Sequence, residues 1–375
     1  MKNFVKLIQQ AYKEYFPTTV QKLVDNKIPF AFLSRNPTDK IIAAMNDLRA
    51  HKLNISSLII ISPPPVNLDI NVIQLKEAVQ IYPQPEYIFT ADIIDSRLAL
   101  KNFPASKVVT CNKTNPKSWY KAFMTHLDEL QNVYESLIDE ESNKTFCGYW
   151  LAHTSNQLGR VIHSKVEHYM CPGFIPEKDA IILEAGAYDG GTATILSEMG
   201  YRVYTFEMDK INFDRTSKVA EEKNFVVENM ALGSYKHMLR YAATGKGNNS
   251  LKKSGEDLVE VITLDSYVRD KNLPCVDMIK LDVEGAELDI LKGAKTTIAR
   301  YKPILALSAY HKEEDFWTLM NFVKSIRPDY EFALRHCYEN PEDEPMSFKN
   351  GVDHLINLGL EPDLRNWWVC ILFAR

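Results

Sequence analysis

Three carboxylates, Asp282, Glu284 and Glu287, crowd one stretch of the chain, CVDMIKLDVEGAELDILKGA, where an apolar strand gives way to a helix. Carboxylates at the carboxyl end of a central strand stand where open α/β sheets bind their ligands. Such groups can orient a hydroxyl or, as hard oxygen donors, hold a divalent ion; orientation is the favoured reading and no metal is assigned. His311 follows the apolar run PILALSAY and is the titrating group best suited to take a proton near neutral pH. As a plain structural residue it would be a solvated histidine opening the helix HKEEDFWTLMNFV. Neither HxH nor HExxH occurs, His163 and His168 are poorly spaced for one helix face, and the six cysteines include no CxxC. Transition-metal and disulfide frameworks are therefore not indicated.

A second constellation lies upstream. DAIILEAGAYDGGTATILSEMG reads as a strand, a glycine-bearing turn and a helix, with Gly186 turning the backbone and Gly190 and Gly191 admitting a ligand to the helix N-terminus. The spacing is not GxGxxG, so the turn alone is a weak signal. Glu207 ends the next strand, YRVYTFE, about twenty residues past the first glycine, where a carboxylate can accept both ribose hydroxyls of an adenosine-containing cofactor. Asn229 and Met230 sit at the tip of a third strand, FVVENMALG, near where an adenine would lie. The stretch TGKGNNSLKKSGED at 244–257 reads either as a loop closing over a substrate or as a surface hairpin.

The elements that position these residues follow from pattern and composition. A length of 375 residues predicts two or three domains, and 45% hydrophobic with 25% charged residues describes an ordinary globular chain. A net charge of −5 gives no footprint for nucleic acid or an anionic membrane surface. Lysines interrupt the apolar positions near the start and no apolar run is long enough to span a bilayer, so a cytoplasmic location is expected. Only 15 glycines occur and the first is Gly148, which confines any glycine-dependent cofactor loop to the later part of the chain.

Residues 1–15 carry Phe4, Leu7, Ile8, Ala11 and Tyr15 at helical spacing. Next, IPFAFL, SSLIIIS, EYIFT and KVVT alternate with the helical patterns DKIIAAMNDLRA, VIQLKEAVQ and IIDSRLAL, which predicts a small parallel sheet covered by helices over 1–115. Its expected role is oligomerisation or substrate positioning in preference to a small-ligand pocket. Helical stretches at Asn115–Ser142 and Ser155–Tyr169 suggest a linker over 116–170, followed by a second α/β domain over 171–375. YEFALRHC and WWVCILFAR read as a closing antiparallel pair.

Taken as a set, IKLDVEGAELDILKGA, LEAGAYDGG, VYTFE, VITLDSYV and KPILALSAYH resemble the FkbM family of class I methyltransferases over residues 147–375. The resemblance implies an α/β, Rossmann-like domain with a mostly parallel sheet and antiparallel terminal strands, and S-adenosyl-L-methionine as cofactor. It further implies O-methylation of a hydroxyl on a sugar or secondary metabolite. The partner would then be a small, carbohydrate-like acceptor rather than nucleic acid or membrane, with the N-terminal domain available for homo-oligomer formation. Carried onto this chain, the cofactor residues are Glu184, Gly186, Ala187, Tyr188, Asp189, Gly190, Glu207, Met208, Asn229, Met230 and Asp282, and the catalytic residues are His311, Asp282 and Glu284. Three positions depart from the family pattern: Glu184 and Tyr188 replace an aspartate and an asparagine, and Met208 replaces a proline after the ribose acid. A non-catalytic cofactor-binding or sensing protein is the second reading. An NAD-dependent oxidoreductase is discouraged by GAYDGG and the DVEG segment.

Overall fold

The computed structural model describes residues 2–15, 23, 25–35, 37–50, 52–62, 64, 68–81, 83–90, 93–110, 116–155, 161–162, 164, 169–245, 255–336 and 369–375. Two compact units emerge: the first contains Met1–Asp128 and Lys144–His163, the second Glu129–Asn143, Ser164–Glu339 and Val369–Arg375. Among the described residues no helix is long and apolar enough to cross a membrane.

In the first unit α1 (Lys2–Tyr15) buries Phe4, Ile8 and Ala11, while Leu7 on the same predicted stripe is exposed. The chain then runs β1 (Phe30–Ser34), α2 (Asp39–Ala50), β2 (Ile55–Ile60), β3 (Asn71–Gln74), α3 (Leu75–Ala78), β4 (Tyr87–Thr90), α4 (Ile93–Asn102) and β5 (Lys107–Thr110). All five strands are parallel, in the order β3-β2-β1-β4-β5. Side chains alternate between two cores, with Phe30, Phe32, Leu58 and Phe89 on one face and Ala31, Leu33, Ile59 and Ile88 on the other. One segment differs from its pattern. VIQLKEAVQ reads as helix, yet Asn71–Gln74 forms an edge strand on Ser57–Ile60, because β-branched Val72 and Ile73 suit a half-exposed strand better than a helix turn.

The predicted helix Asn115–Ser142 is broken. It appears as α5 (Pro116–Thr125) and α6 (Leu127–Ser136), after which Leu137 makes a parallel β-bridge with Phe332. A further helix, α7 (Glu140–Ser155), ends where a second helix was expected to begin. Val161, Ile162 and Ser164 are not helical, and the other residues of 156–168 lie outside those described.

The second unit holds a seven-stranded sheet built from β6 (Ile181–Ala185), β7 (Arg202–Phe206), β8 (Val226–Glu228), β12 (Met278–Leu281), β13 (Ile304–Ser308), β14 (Phe332–Arg335) and β15 (Ile371–Ala374). Its order is β14-β15-β13-β12-β6-β7-β8, and only β15 runs against its neighbours. Every residue of β6 and β12 is buried, as befits central strands covered on both faces. Helices α8 (Gly191–Glu198), α9 (Lys210–Lys223), α10 (Leu264–Asp270), α11 (Glu287–Lys292), α12 (Lys295–Tyr301) and α13 (Asp315–Ile326) connect these strands. A small sheet of β9 (Ala231–Leu232), β10 (His237–Tyr241) and β11 (Asp257–Ile262) lies between β8 and β12 in sequence.

The connections run outward in opposite directions from β6 and β12. That pair is therefore the topological switch point, where an open α/β sheet leaves a crevice at its carboxyl ends.

Candidate active site

Gly186 follows β6 and Asp282 follows β12, side by side at this switch point. The Asp282 amide donates to the Ala185 carbonyl at 3.1 Å. Gly186 has φ +87°, and a Cβ there would lie 1.8 Å from the Asp282 carbonyl oxygen. No side chain fits. Gly186→Ala must therefore move backbone as well as bear a left-handed conformation costing about 1–2 kcal/mol, and cofactor affinity measured by calorimetry should fall at least about tenfold.

The turn continues through Tyr188, whose φ of 51° is unusual for a bulky residue. Its amide donates to Oε2 of Glu207 at 2.8 Å, its carbonyl accepts from the Thr216 hydroxyl at 2.9 Å, and the Arg215 guanidinium lies 5.5 Å from the centre of its ring. Glu207 is 7% exposed, and Oε1 accepts the Asp209 amide at 2.7 Å. Burial raises its pKa, partly offset by those two amides. Each oxygen has thus taken one donor, and a carboxylate offers roughly four lone-pair sites, leaving capacity for two hydroxyls. The Asn229 side chain stays behind, donating to the Glu207 carbonyl at 2.9 Å. Asp209 caps α9 through Oδ1 and ties down the Thr244 and Gly245 amides through Oδ2. Residues 246–254 of the predicted 244–257 loop lie outside those described.

Beneath the turn, Lys280 Nζ approaches Oε1 of Glu184 at 3.2 Å with the two side chains only 3% and 1% exposed. The same ammonium donates to the Gly186 carbonyl at 3.3 Å.

Beside it stands the carboxylate cluster. Asp282 accepts hydroxyl bonds from Tyr169 at 2.7 Å and Tyr310 at 3.1 Å. Burial alone would raise its pKa, but Lys280, His311 and the two hydroxyls hold it below the ordinary carboxylate value. Glu284 has its pKa raised by burial, with the charges of Asp282 and Glu287 adding to the rise. His311 Nδ1 is 2.8 Å from Oε1 of Glu287, and Nε2 is 3.5 Å from Asp282 Oδ1 and 3.9 Å from Glu284 Oε2. Burial depresses the imidazole pKa, yet the Glu287 bond and the three acidic charges outweigh it, so the net shift is upward. Asp282, Glu287 and His311 offer donor atoms within 4.8 Å of one another, close enough to share a cation.

Part of this cluster borders one cavity of about 670 Å³. Of the residues singled out in the sequence, Gly186, Tyr188, Glu207, Met208, Met230, Asp282 and Glu284 line it. Glu184, Ala187, Asp189, Gly190 and Asn229 are not among the lining residues: Glu184 faces Lys280, Asp189 accepts the Gly191 amide, and Gly190 caps α8 in a left-handed conformation. His311 also stands behind the wall. Tyr169, Lys280, Tyr310 and Lys312 were not singled out, although the lone cation in the apolar strand MIKL was a usable signal for Lys280.

The family model described as "Methyltransferase FkbM domain" matches residues 184–336. These residues form an FkbM methyltransferase domain. Methyltransferase FkbM from Methylobacillus flagellatus KT shares the fold, with a TM-score of 0.60 at 16% identity over 99% of each chain. Weaker similarity extends to an rRNA methylase from Streptococcus thermophilus (TM-score 0.30, 13% identity, 53% of this chain and 87% of that one). A Streptococcus mutans protein described as a methyltransferase in complex with SAH scores 0.28 at 14% identity, over 53% of this chain and 90% of that one. No curated protein matches the chain.

The resemblance of this domain to class I methyltransferases implies S-adenosylmethionine as its cofactor. Its cavity suits that cofactor: the volume lies within the range of cofactor sites, Gly186 leaves room for a ligand against backbone, and Glu207 retains free acceptor capacity for ribose.

Proposed function

We propose that the FkbM domain methylates a hydroxyl oxygen on a small, carbohydrate-like or secondary-metabolite-like acceptor. The observation that carries this reading is the cluster at one end of the cavity, where Asp282 and Glu284 line the wall and His311 stands 3.5 Å behind Asp282. When bound, S-adenosylmethionine supplies an electrophilic methyl group on a positively charged sulfur. Gly186, Tyr188 and Glu207 hold the cofactor's nucleoside end, with Met208 and Met230 as apolar walls. Asp282, with Glu284 beside it, accepts the one hydrogen bond the acceptor hydroxyl can donate and fixes its direction, which is where much of the acceleration of a displacement reaction arises. A protonated alcohol is a weak nucleophile, so its proton must leave as the new oxygen–carbon bond forms. Asp282 takes that proton from the hydroxyl, and His311 Nε2, 3.5 Å from Asp282 Oδ1, receives it in turn.

Two measurements test the reading. Calorimetry with S-adenosylmethionine and with NADH should show binding of the first alone. Incubation of the protein with ¹³C-methyl-labelled cofactor and a panel of free and nucleotide-linked sugars should give methoxy carbon resonances. Label found on nitrogen or carbon would overturn the hydroxyl assignment, and cofactor binding with no transfer to any acceptor would favour the non-catalytic reading.

A further inference from the structure

We infer that Glu287 is the positioning residue of this cluster: its carboxylate fixes His311 in the tautomer with the ring proton on Nδ1, leaving Nε2 as the nitrogen that exchanges protons at the cavity wall. The inference rests on the hydroxyl-methylation reading for its kinetic consequence, though not for its geometry.

Glu287 opens α11 and is 1% exposed. Its Oε1 accepts the Val283 amide at 3.0 Å and, more weakly, the Gly285 amide at 3.4 Å, so the carboxylate is anchored to the loop that carries Asp282 and Glu284. The same oxygen lies 2.8 Å from His311 Nδ1. A carboxylate can only accept, so Nδ1 must carry the proton in the neutral ring. Nε2 has no hydrogen-bond partner although the His311 side chain is only 9% exposed, and its nearest polar neighbours are Asp282 and Glu284, beyond hydrogen-bond distance. The Tyr310 ring, 4.2 Å away between centroids, packs against the imidazole. One nitrogen is thus anchored, and the other is buried beside Asp282 and Glu284 with no hydrogen-bond partner.

Charge acts in the same direction as geometry. The groups facing His311 are Asp282, Glu284, Glu287, Tyr310, Lys312 and Asp315, the last with its pKa pushed up to about 7 by burial. A base must be neutral to accept a proton, so activity rises with pH through the elevated His311 value. Removing the Glu287 charge lowers that value.

In Glu287→Gln, nearly the same shape without the charge, the acid limb of kcat/KM should move to lower pH by about one unit, as expected for losing an adjacent opposite charge. Glu287→Met, which removes the acceptor, should lower kcat at least about tenfold. Asp315→Asn should leave the limb in place. ¹⁵N spectra of histidine-labelled protein at alkaline pH should show the His311 proton on Nδ1 in the unaltered chain and shared between both nitrogens in Glu287→Met. A proton found on Nε2, a limb unmoved in Glu287→Gln or one that follows Asp315 would each overturn the inference. So would turnover abolished by EDTA and restored by Mn²⁺, because the three donors would then serve a cation. If no hydroxyl is methylated at all, the functional reading fails while the ¹⁵N measurement still decides the role of Glu287.

Discussion

Replacing His311 with alanine is expected to lower turnover by about 10²–10⁴-fold, the usual contribution of a positioned proton acceptor. Cofactor affinity should barely change, since His311 is absent from the cavity lining. Asp282→Ala should also lower turnover, but with a different signature. Asp282 lines the cavity and accepts the Tyr169 and Tyr310 hydroxyls, so its loss leaves two half-buried donors without that acceptor and should weaken cofactor binding and stability together. Steady-state kinetics beside calorimetry separates the two patterns. Full methyl transfer by both variants on an identified acceptor would show that the assigned residues do not carry the chemistry.

The second large effect concerns the buried pair beneath the glycine turn. Lys280→Met should destabilise the domain by about 3–5 kcal/mol, because Glu184 is left as an uncompensated charge in the interior. Neither Glu184 oxygen makes a geometrically good hydrogen bond, so the ammonium 3.2 Å away is its main compensation. Lys280→Met combined with Glu184→Met removes both charges and should recover most of the loss, as replacement of buried ion pairs by apolar groups often does. Urea unfolding monitored by fluorescence reads both as shifts of the midpoint at constant slope. A single variant as stable as the parent would mean that Glu184 takes up a proton or reaches water. The double variant should still bind cofactor less tightly, since Lys280 also steadies the Gly186 carbonyl.

The parts of the site that could be read from sequence are those where physics leaves one residue type. Only glycine can stand at Gly186, with a carbonyl 1.8 Å from where a Cβ would be, and a strand-end acid at the spacing of Glu207 has few other uses. The carboxylates after β12 were conspicuous for the same reason. What pattern could not supply was direction. Nothing in MIKL says that Lys280 points inward to Glu184 on a neighbouring strand, because an alternating strand buried on both faces presents no solvent side to choose. His311 was singled out as a proton acceptor, but only the fold places it behind the wall and against Glu287. Tyr169 escaped notice because it sits in a stretch read as helix, whereas it adopts a left-handed φ of 63° that turns the chain toward Asp282. Boundaries failed where two tendencies compete, as at Asn71–Gln74, whose β-branched pair found a strand edge.

The antiparallel β15 has a kinetic consequence. Ile371–Ala374 is buried throughout and lies between β13 and β14, pairing with both. Until Ile371–Ala374 docks, β13 presents a bare edge and β14 keeps only its bridge to Leu137. Sheet closure is built on contacts between distant parts of the sequence, which fold slowly. While it is unpaired, the edge of β13 is an aggregation template.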